Sequence, residues 1–210
     1  MPKVTSVRKK IVIGLTGGIA TGKTSVLREF RRLGARVLDC DILARAVVRK
    51  GRPAWKKIAK TFGKPVLKND GSLNRAQLGR IVFKSPVKRR ILEGIIHPQV
   101  KTMVLKAARK ARSGVLVVDV PLLFEAGWKK LFDRTVLVYS PEKIQIQRLG
   151  KRDGFGKKEA LTRIHSQWAL KRKKKLADHA IDNSGDFSRA QNQVRKLWKK
   201  WEAGFFGKKL

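Results

Sequence analysis

Ile11-Val12-Ile13-Gly14-Leu15-Thr16-Gly17-Gly18-Ile19-Ala20-Thr21-Gly22-Lys23-Thr24-Ser25-Val26-Leu27 is the stretch that decides the fold. It opens with an apolar run of strand length, Ile11–Leu15. From Thr24 to Leu33 the apolar positions recur at helical spacing, and Gly34 stands where a C-terminal cap belongs. Between strand and helix, Gly17–Thr24 satisfies G-x-x-x-x-G-K-[ST] without a gap. Glycines at 17, 18 and 22 let the backbone curl so that its N–H groups converge on phosphate oxygens. The following helix adds the positive end of its dipole. Lys23 brings a point charge to β- and γ-phosphates, and the Thr24 hydroxyl is a magnesium ligand. The flanking strand and helix separate this loop from a chance glycine turn. The motif implies nucleoside triphosphate binding and fits a kinase, a GTPase or an ATPase motor alike.

Working outward, Arg36–Asp39 reads as a second strand and Asp41–Lys50 as a helix broken by Gly51-Arg52-Pro53. Residues 53–112 are helical in pattern, with a turn at Asn69-Asp70-Gly71 and breaks at Ser85-Pro86 and His97-Pro98. Val115–Val120 and Arg134–Tyr139 are further strands. Ser140-Pro141-Glu142 opens a helix, with Ser140 as its N-cap. Lys151–Lys158, rich in glycine and charge, suits a lid. Glu159–Lys175 is helical, His179–Asp182 a last strand and Phe187–Trp201 a final helix. Strands alternating with helices predict an α/β, three-layer fold around a central parallel sheet. The organisation expected is a single domain over residues 1–210. Its core is 10–50 and 113–204, a helical lobe spans about 53–112, and the lid about 151–160.

The chain has 210 residues, 42% of them hydrophobic, enough for one real core. No apolar run approaches the roughly 18 residues of a membrane span. The basic Met1–Lys10 does not read as a signal peptide. A single cysteine, Cys40, excludes an internal disulfide. Together these predict a soluble, cytoplasmic protein. The charge is extreme: 51 Lys+Arg against 15 Asp+Glu, net +36. Such a surface attracts polyanions. The basic residues run along the whole chain, with one dense run at Lys171–Lys175, and are not interleaved with aromatics as a stacking platform requires. This predicts cations on solvated faces and no specific nucleic-acid partner, with a nucleic-acid-binding protein as the competing reading.

With so few acids, their positions carry weight. Asp39 and Asp41 end the second strand, on the edge of a parallel sheet that faces ligand. One can deprotonate an attacking hydroxyl and the other hold metal-bound water. Asp41 also reads as the N-cap of the helix after it. Asp119, at the end of the third strand, looks like a Walker B acid that holds Mg²⁺ through water. Asp133, Asp178 and Asp186 read as turn or capping residues. His97, His165 and His179 lack metal-ligand spacing.

These blocks, taken in order, resemble the dephospho-CoA kinase family over Ile11 to Gly185. They are Ile13–Ile19; Asp39-Cys40-Asp41 with Ala44-Arg45; Asp70–Arg75 with Leu78 and Ile81-Val82-Phe83; His97-Pro98; Pro121-Leu122-Leu123-Phe124-Glu125; Gln147-Arg148 with Lys151-Arg152-Asp153; and Ala177-Asp178 with Ile181–Gly185. Ala20 and Thr21 depart from the family's Gly-Ser. Both are small, so nucleotide binding is expected to survive. The resemblance implies a P-loop NTPase fold with an acceptor lobe and a lid. It implies transfer of the ATP γ-phosphate, with Mg²⁺, to the ribose 3′-hydroxyl of dephospho-CoA. It implies catalytic roles for Asp41, Lys23, Arg148 and Arg152, although the two arginines also read as solvated cations. Nucleotide contacts fall on Gly17, Gly18, Ala20, Thr21, Gly22, Lys23, Thr24, Ser25, Asn183 and Gly185. Acceptor contacts fall on Thr16, Asp39, Asp41, Arg75 and His97, and the metal on Thr24 and Asp119. Gln167 matches the family without a physical role. A nucleoside monophosphate kinase, which shares sheet, loop and lid, is the nearest alternative.

Overall fold

The computed structural model describes residues 10–205. Of the basic N-terminal segment, Met1–Lys9 lies outside them. Five strands form one sheet in the order β2-β3-β1-β4-β5: β1 (Lys10–Gly17), β2 (Arg36–Asp39), β3 (Gly114–Asp119), β4 (Arg134–Tyr139) and β5 (His179–Asp182). β1 runs parallel to β3 and β4, and β4 parallel to β5. β3 and β4 show why the pattern is apolar without alternation: the interior of each strand is buried on both faces. Near the starts of β1 and β4, Asp133 and Asp178 take the backbone N–H groups of Val12 and Thr135, each at 2.7 Å.

The chain divides into two compact units. The first runs up to Leu38 and resumes at Ala108; the second is Asp39–Ala107. In the first, α1 (Lys23–Arg32) and α9 (Phe187–Phe205) cover the sheet, with Val26, Phe30, Val194 and Trp198 against Ile13, Val117 and Val138. Phe30 stacks on Trp201, ring centroids 5.7 Å apart. The buried Glu29 carboxylate accepts from Arg32, Gln191 and Arg195, which ties α1 to α9. Those donors, Arg32 first, hold its pKa down at about 2.

The second unit holds α2 (Cys40–Val47), α3 (Pro53–Phe62), α4 (Arg75–Lys84) and most of α5 (Pro86–Lys110). Its turn is built as the Asn69-Asp70-Gly71 signal suggests. Asp70 accepts from Ser72 N–H, and the Gly71 carbonyl from the Trp55 indole. Ser85 opens α5, taking the N–H of Lys88 on its hydroxyl. The break expected at His97-Pro98 is absent, since Pro98 lies inside α5. Proline there removes one bond to the Gly94 carbonyl out of a 25-residue helix, whose next two turns bury Val100 and Val104.

Two further boundaries move. α6 (Glu142–Asp153) runs through Lys151–Asp153 and stops at Gly154, whose φ of 71° makes the left-handed cap. The expected lid loop is therefore only Gly154–Gly156. Beyond it the chain forms two helices, α7 (Lys157–His165) and α8 (Leu170–Leu176), where one was expected.

Candidate active site

The phosphate loop leaves β1 at Gly17 and enters α1 through Gly22, which takes φ 82°. A Cβ at Gly22 would also stand 2.0 Å from the Asn183 amide nitrogen, so the position admits no side chain. Thr21 is buried and turns its hydroxyl to the Gly18 carbonyl at 2.9 Å. Ala20 has φ 56°, the only positive φ off glycine among the described residues. The left-handed region costs an alanine roughly 1–2 kcal/mol.

Lys23, the first residue of α1, is ion-paired with Asp119 at the end of β3. Both are largely shielded, with 17% and 9% of their side chains exposed. The sequence placed these two residues 96 apart, and the β1–β3 pairing of Leu15 with Asp119 brings them together. Thr24 is exposed on the first turn of α1, with Ser25 beside it.

Four side chains from the far half of the chain fix the loop's backbone. Asn183 donates to the Thr21 carbonyl at 2.8 Å. Arg148 donates to the carbonyls of Asn183 at 2.8 Å and Ala20 at 3.4 Å. Gln145 donates to the Ile19 carbonyl, and the Gln167 amide oxygen accepts the Ile19 N–H at 3.0 Å. Gln167 thereby acquires a role, while Gln145 escaped sequence reasoning altogether. Its signal was an i, i+3 spacing to Arg148 on α6, which puts both on the face toward the loop. Arg152 behaves differently: it is 62% exposed and forms a bidentate pair with Asp153. Gly185 is exposed just after β5.

Thr16, expected to contact the acceptor, is fully buried and donates to the Pro121 carbonyl at 3.0 Å. Glu125, at the end of the Pro-Leu-Leu-Phe-Glu block, accepts from Trp168 N–H at 3.1 Å and pairs with Lys173 at 2.7 Å. Lys173 belongs to the basic run read as solvated, yet it is fully buried. Burying an ammonium requires such a partner. The run is also not free of aromatics: Arg172 lies over Trp168 at 3.4 Å and Lys174 over Tyr139 at 4.2 Å.

In the second unit, Asp39 is the cap of α2, accepting from Asp41 N–H at 2.8 Å and Ile42 N–H at 3.1 Å. The capping role read onto Asp41 belongs to Asp39. The carboxylate of Asp41 stays exposed and accepts no hydrogen bond among the described residues. It lines a cavity of about 300 Å³ with Arg45, Arg75, Leu73, Leu78 and Val82. Arg75 is steadied by the Arg45 carbonyl at 3.3 Å. His97 is half-buried on α5 outside that lining, and burial, against the opposing pull of Glu93, lowers its pKa.

Residues 11–189 match the family model described as dephospho-CoA kinase. A dephospho-CoA kinase of Bacillus licheniformis is 45% identical over 194 residues, covering 91% of this chain and 96% of its own. One from Carboxydothermus hydrogenoformans is 43% identical over 201 residues, covering 94% and 98%. The solved structure of dephospho-CoA kinase from Campylobacter jejuni superposes with a TM-score of 0.71 at 26% identity, covering 93% of this chain and 99% of that one.

Proposed function

This chain belongs to the dephospho-CoA kinase family, and on that premise we propose that it moves the γ-phosphate of ATP onto the ribose 3′-hydroxyl of dephospho-CoA, giving coenzyme A and ADP. The observation that carries the residue assignment is the freedom of Asp41. Because Asp39 caps α2, the Asp41 carboxylate is left exposed at a cavity with two arginines. An unengaged carboxylate is what a hydroxyl acceptor needs.

In the transfer a bond forms between the ribose O3′ and the γ-phosphorus, and the bond from that phosphorus to the β–γ bridging oxygen breaks. Asp41 takes the O3′ proton. Lys23 exchanges Asp119 for the β- and γ-phosphates, and the loop N–H groups and the α1 dipole hold the remaining charge. Arg148 donates to the Ala20 carbonyl of the loop, whereas Arg152 is paired with Asp153, and this supports Arg148 over Arg152 as the group that neutralises charge on the transferred phosphoryl. Thr24 and Asp119 supply one hydroxyl and one carboxylate. That sparse oxygen set fits Mg²⁺, which draws its other ligands from water and phosphates. An ion held there would offset the charge of the phosphates. Arg45 and Arg75, in the same cavity lining as Asp41, offer hydrogen-bond donors to the acceptor's ribose and base.

No helix among the described residues is long and apolar enough to cross a membrane. We place the enzyme in the cytoplasm and assign it no specific nucleic-acid partner. The test is ADP release, coupled to a reporter enzyme, with dephospho-CoA, AMP, CMP or adenosine as acceptor. Mg²⁺-dependent release with dephospho-CoA alone is expected. Equal turnover of AMP or CMP would move the protein to the nucleoside monophosphate kinases.

A further inference from the structure

A recess of about 640 Å³ within the first unit has no part in the chemistry above. Gly18 of the phosphate loop forms its edge, and Tyr139, Ser140, Trp168, Leu170 and Lys174 are among its walls. The loop closes tightly on this side: a Cβ on Gly18 would come 2.9 Å from the Gln145 amide nitrogen and 3.1 Å from Leu170 Cδ2.

Ser140 is the anomaly. Its place before Pro141 suggests an N-cap, yet α6 begins behind Pro141 and receives no side-chain cap. The Pro141 carbonyl takes the N–H groups of Ile144 and Gln145 instead, at 3.0 and 3.1 Å. The Ser140 hydroxyl is buried, with the residue 1% exposed, and has no hydrogen-bond partner among the described residues. A buried hydroxyl without a partner bears its full desolvation penalty, so its presence in a cavity wall calls for a partner that comes and goes.

We infer that this recess takes the pantetheine arm of dephospho-CoA, an inference that rests on the function proposed above. The arm joins a diphosphate to a branched alkyl group, two amides and a thiol-ended chain. Its alkyl parts match Trp168 and Leu170. An amide offers both donor and acceptor to Ser140, whose hydroxyl turns about a single χ1 to meet it. Lys174, steadied over the Tyr139 ring, supplies a cation for the diphosphate. The volume falls in the range of about 300–1,000 Å³ typical of small-molecule sites. The adenine of ATP is a poorer occupant. A flat base seeks an open ring face, and Arg172 already covers a face of Trp168 as Lys174 covers one of Tyr139.

The deciding variant is Ser140→Ala, with Trp168→Leu as a second probe of the wall. Removing an unpartnered buried hydroxyl does not harm the free protein, so the thermal midpoint of Ser140→Ala should hold or rise. Its KM for dephospho-CoA should rise about three- to tenfold, the loss of one hydrogen bond. The KM for ATP should not move. Neither should the Ki of ADP-ribose, a competitor that carries the same nucleotide and diphosphate but no arm. Trp168→Leu should raise the dephospho-CoA KM in the same selective way. An unchanged KM for dephospho-CoA in both variants overturns the inference. So does a raised KM for ATP, which would give the recess to the donor, or a Ki for ADP-ribose raised in parallel. Failure of the parent reading looks different: the unmodified enzyme would not turn over dephospho-CoA at all.

Discussion

Glu29→Gln tests whether the helix that carries Lys23 is anchored as the structure has it. The buried carboxylate accepts from Arg32, Gln191 and Arg195, and its pKa falls from 4.5 to about 2. Taken at face value, a difference of that size is worth about 3 kcal/mol of folding stability. Arg32 and Arg195 are 57% and 46% exposed, so water screens part of their charge, and about 2 kcal/mol is the fairer figure. The folded pKa is depressed, so this stability is fully present above pH 4.5 and drains away as the pH falls toward 2. Urea denaturation of the two proteins at pH 7 should differ by about 2 kcal/mol, or roughly 4–8 °C in Tm for a chain of this size. The gap should narrow between pH 4.5 and the lowest pH at which both remain folded, because protonation does to Glu29 what the substitution did. The kcat should hold, since Glu29 touches no reacting group. A gap below about 0.5 kcal/mol at pH 7, or one that stays constant down to about pH 3, would refute the reasoning.

Asp41→Asn should spare ATP binding and lower kcat by about 10²–10⁴-fold, whereas Lys23→Ala should weaken ATP binding; near-full turnover in Asp41→Asn would leave Asp41 outside the chemistry. Ala20→Gly should relieve the positive φ of the loop, with the greater freedom of glycine in the unfolded chain offsetting part of the gain. A thermal midpoint that falls by more than about a degree would show that Ala20 is unstrained. Hydrogen exchange over residues 151–158 should slow with an ATP analogue, concentrated at Gly154–Gly156, and unchanged exchange there would count against a closing lid. Unrelated oligonucleotides should bind only weakly, with dissociation constants of roughly 10⁻⁴–10⁻⁶ M at physiological salt, and lose affinity steeply as salt rises. Tight, sequence-dependent binding would revive the nucleic-acid reading.

Much of the fold was legible in the chain. The phosphate loop is encoded where it stands: a strand, glycines free to take positive φ, and a helix start are local facts, and Gly22 obeys them. The three inner strands β1, β3 and β4 were equally legible, because strands buried on both faces must be largely apolar, whereas the edge strands β2 and β5 are short and only partly buried. Asp39 and Asp41 were found together, yet which of them caps α2 was not, since either carboxylate can reach a free N–H at the helix start.

Sequence by itself determined the chemistry on offer: a nucleotide loop, an acid pair at the end of the second strand and a large excess of cations. Tertiary structure decided which groups meet. Ile19 is held on both sides by Gln145 and Gln167, 126 and 148 residues away. Lys173 looks like one more solvated lysine in a basic run until the fold brings Glu125 against it. The physical reason is that local rules act within a few residues, through backbone dihedrals and short-range hydrogen bonds. Burial of a charge or pinning of a loop depends instead on partners that only the packed sheet brings within reach.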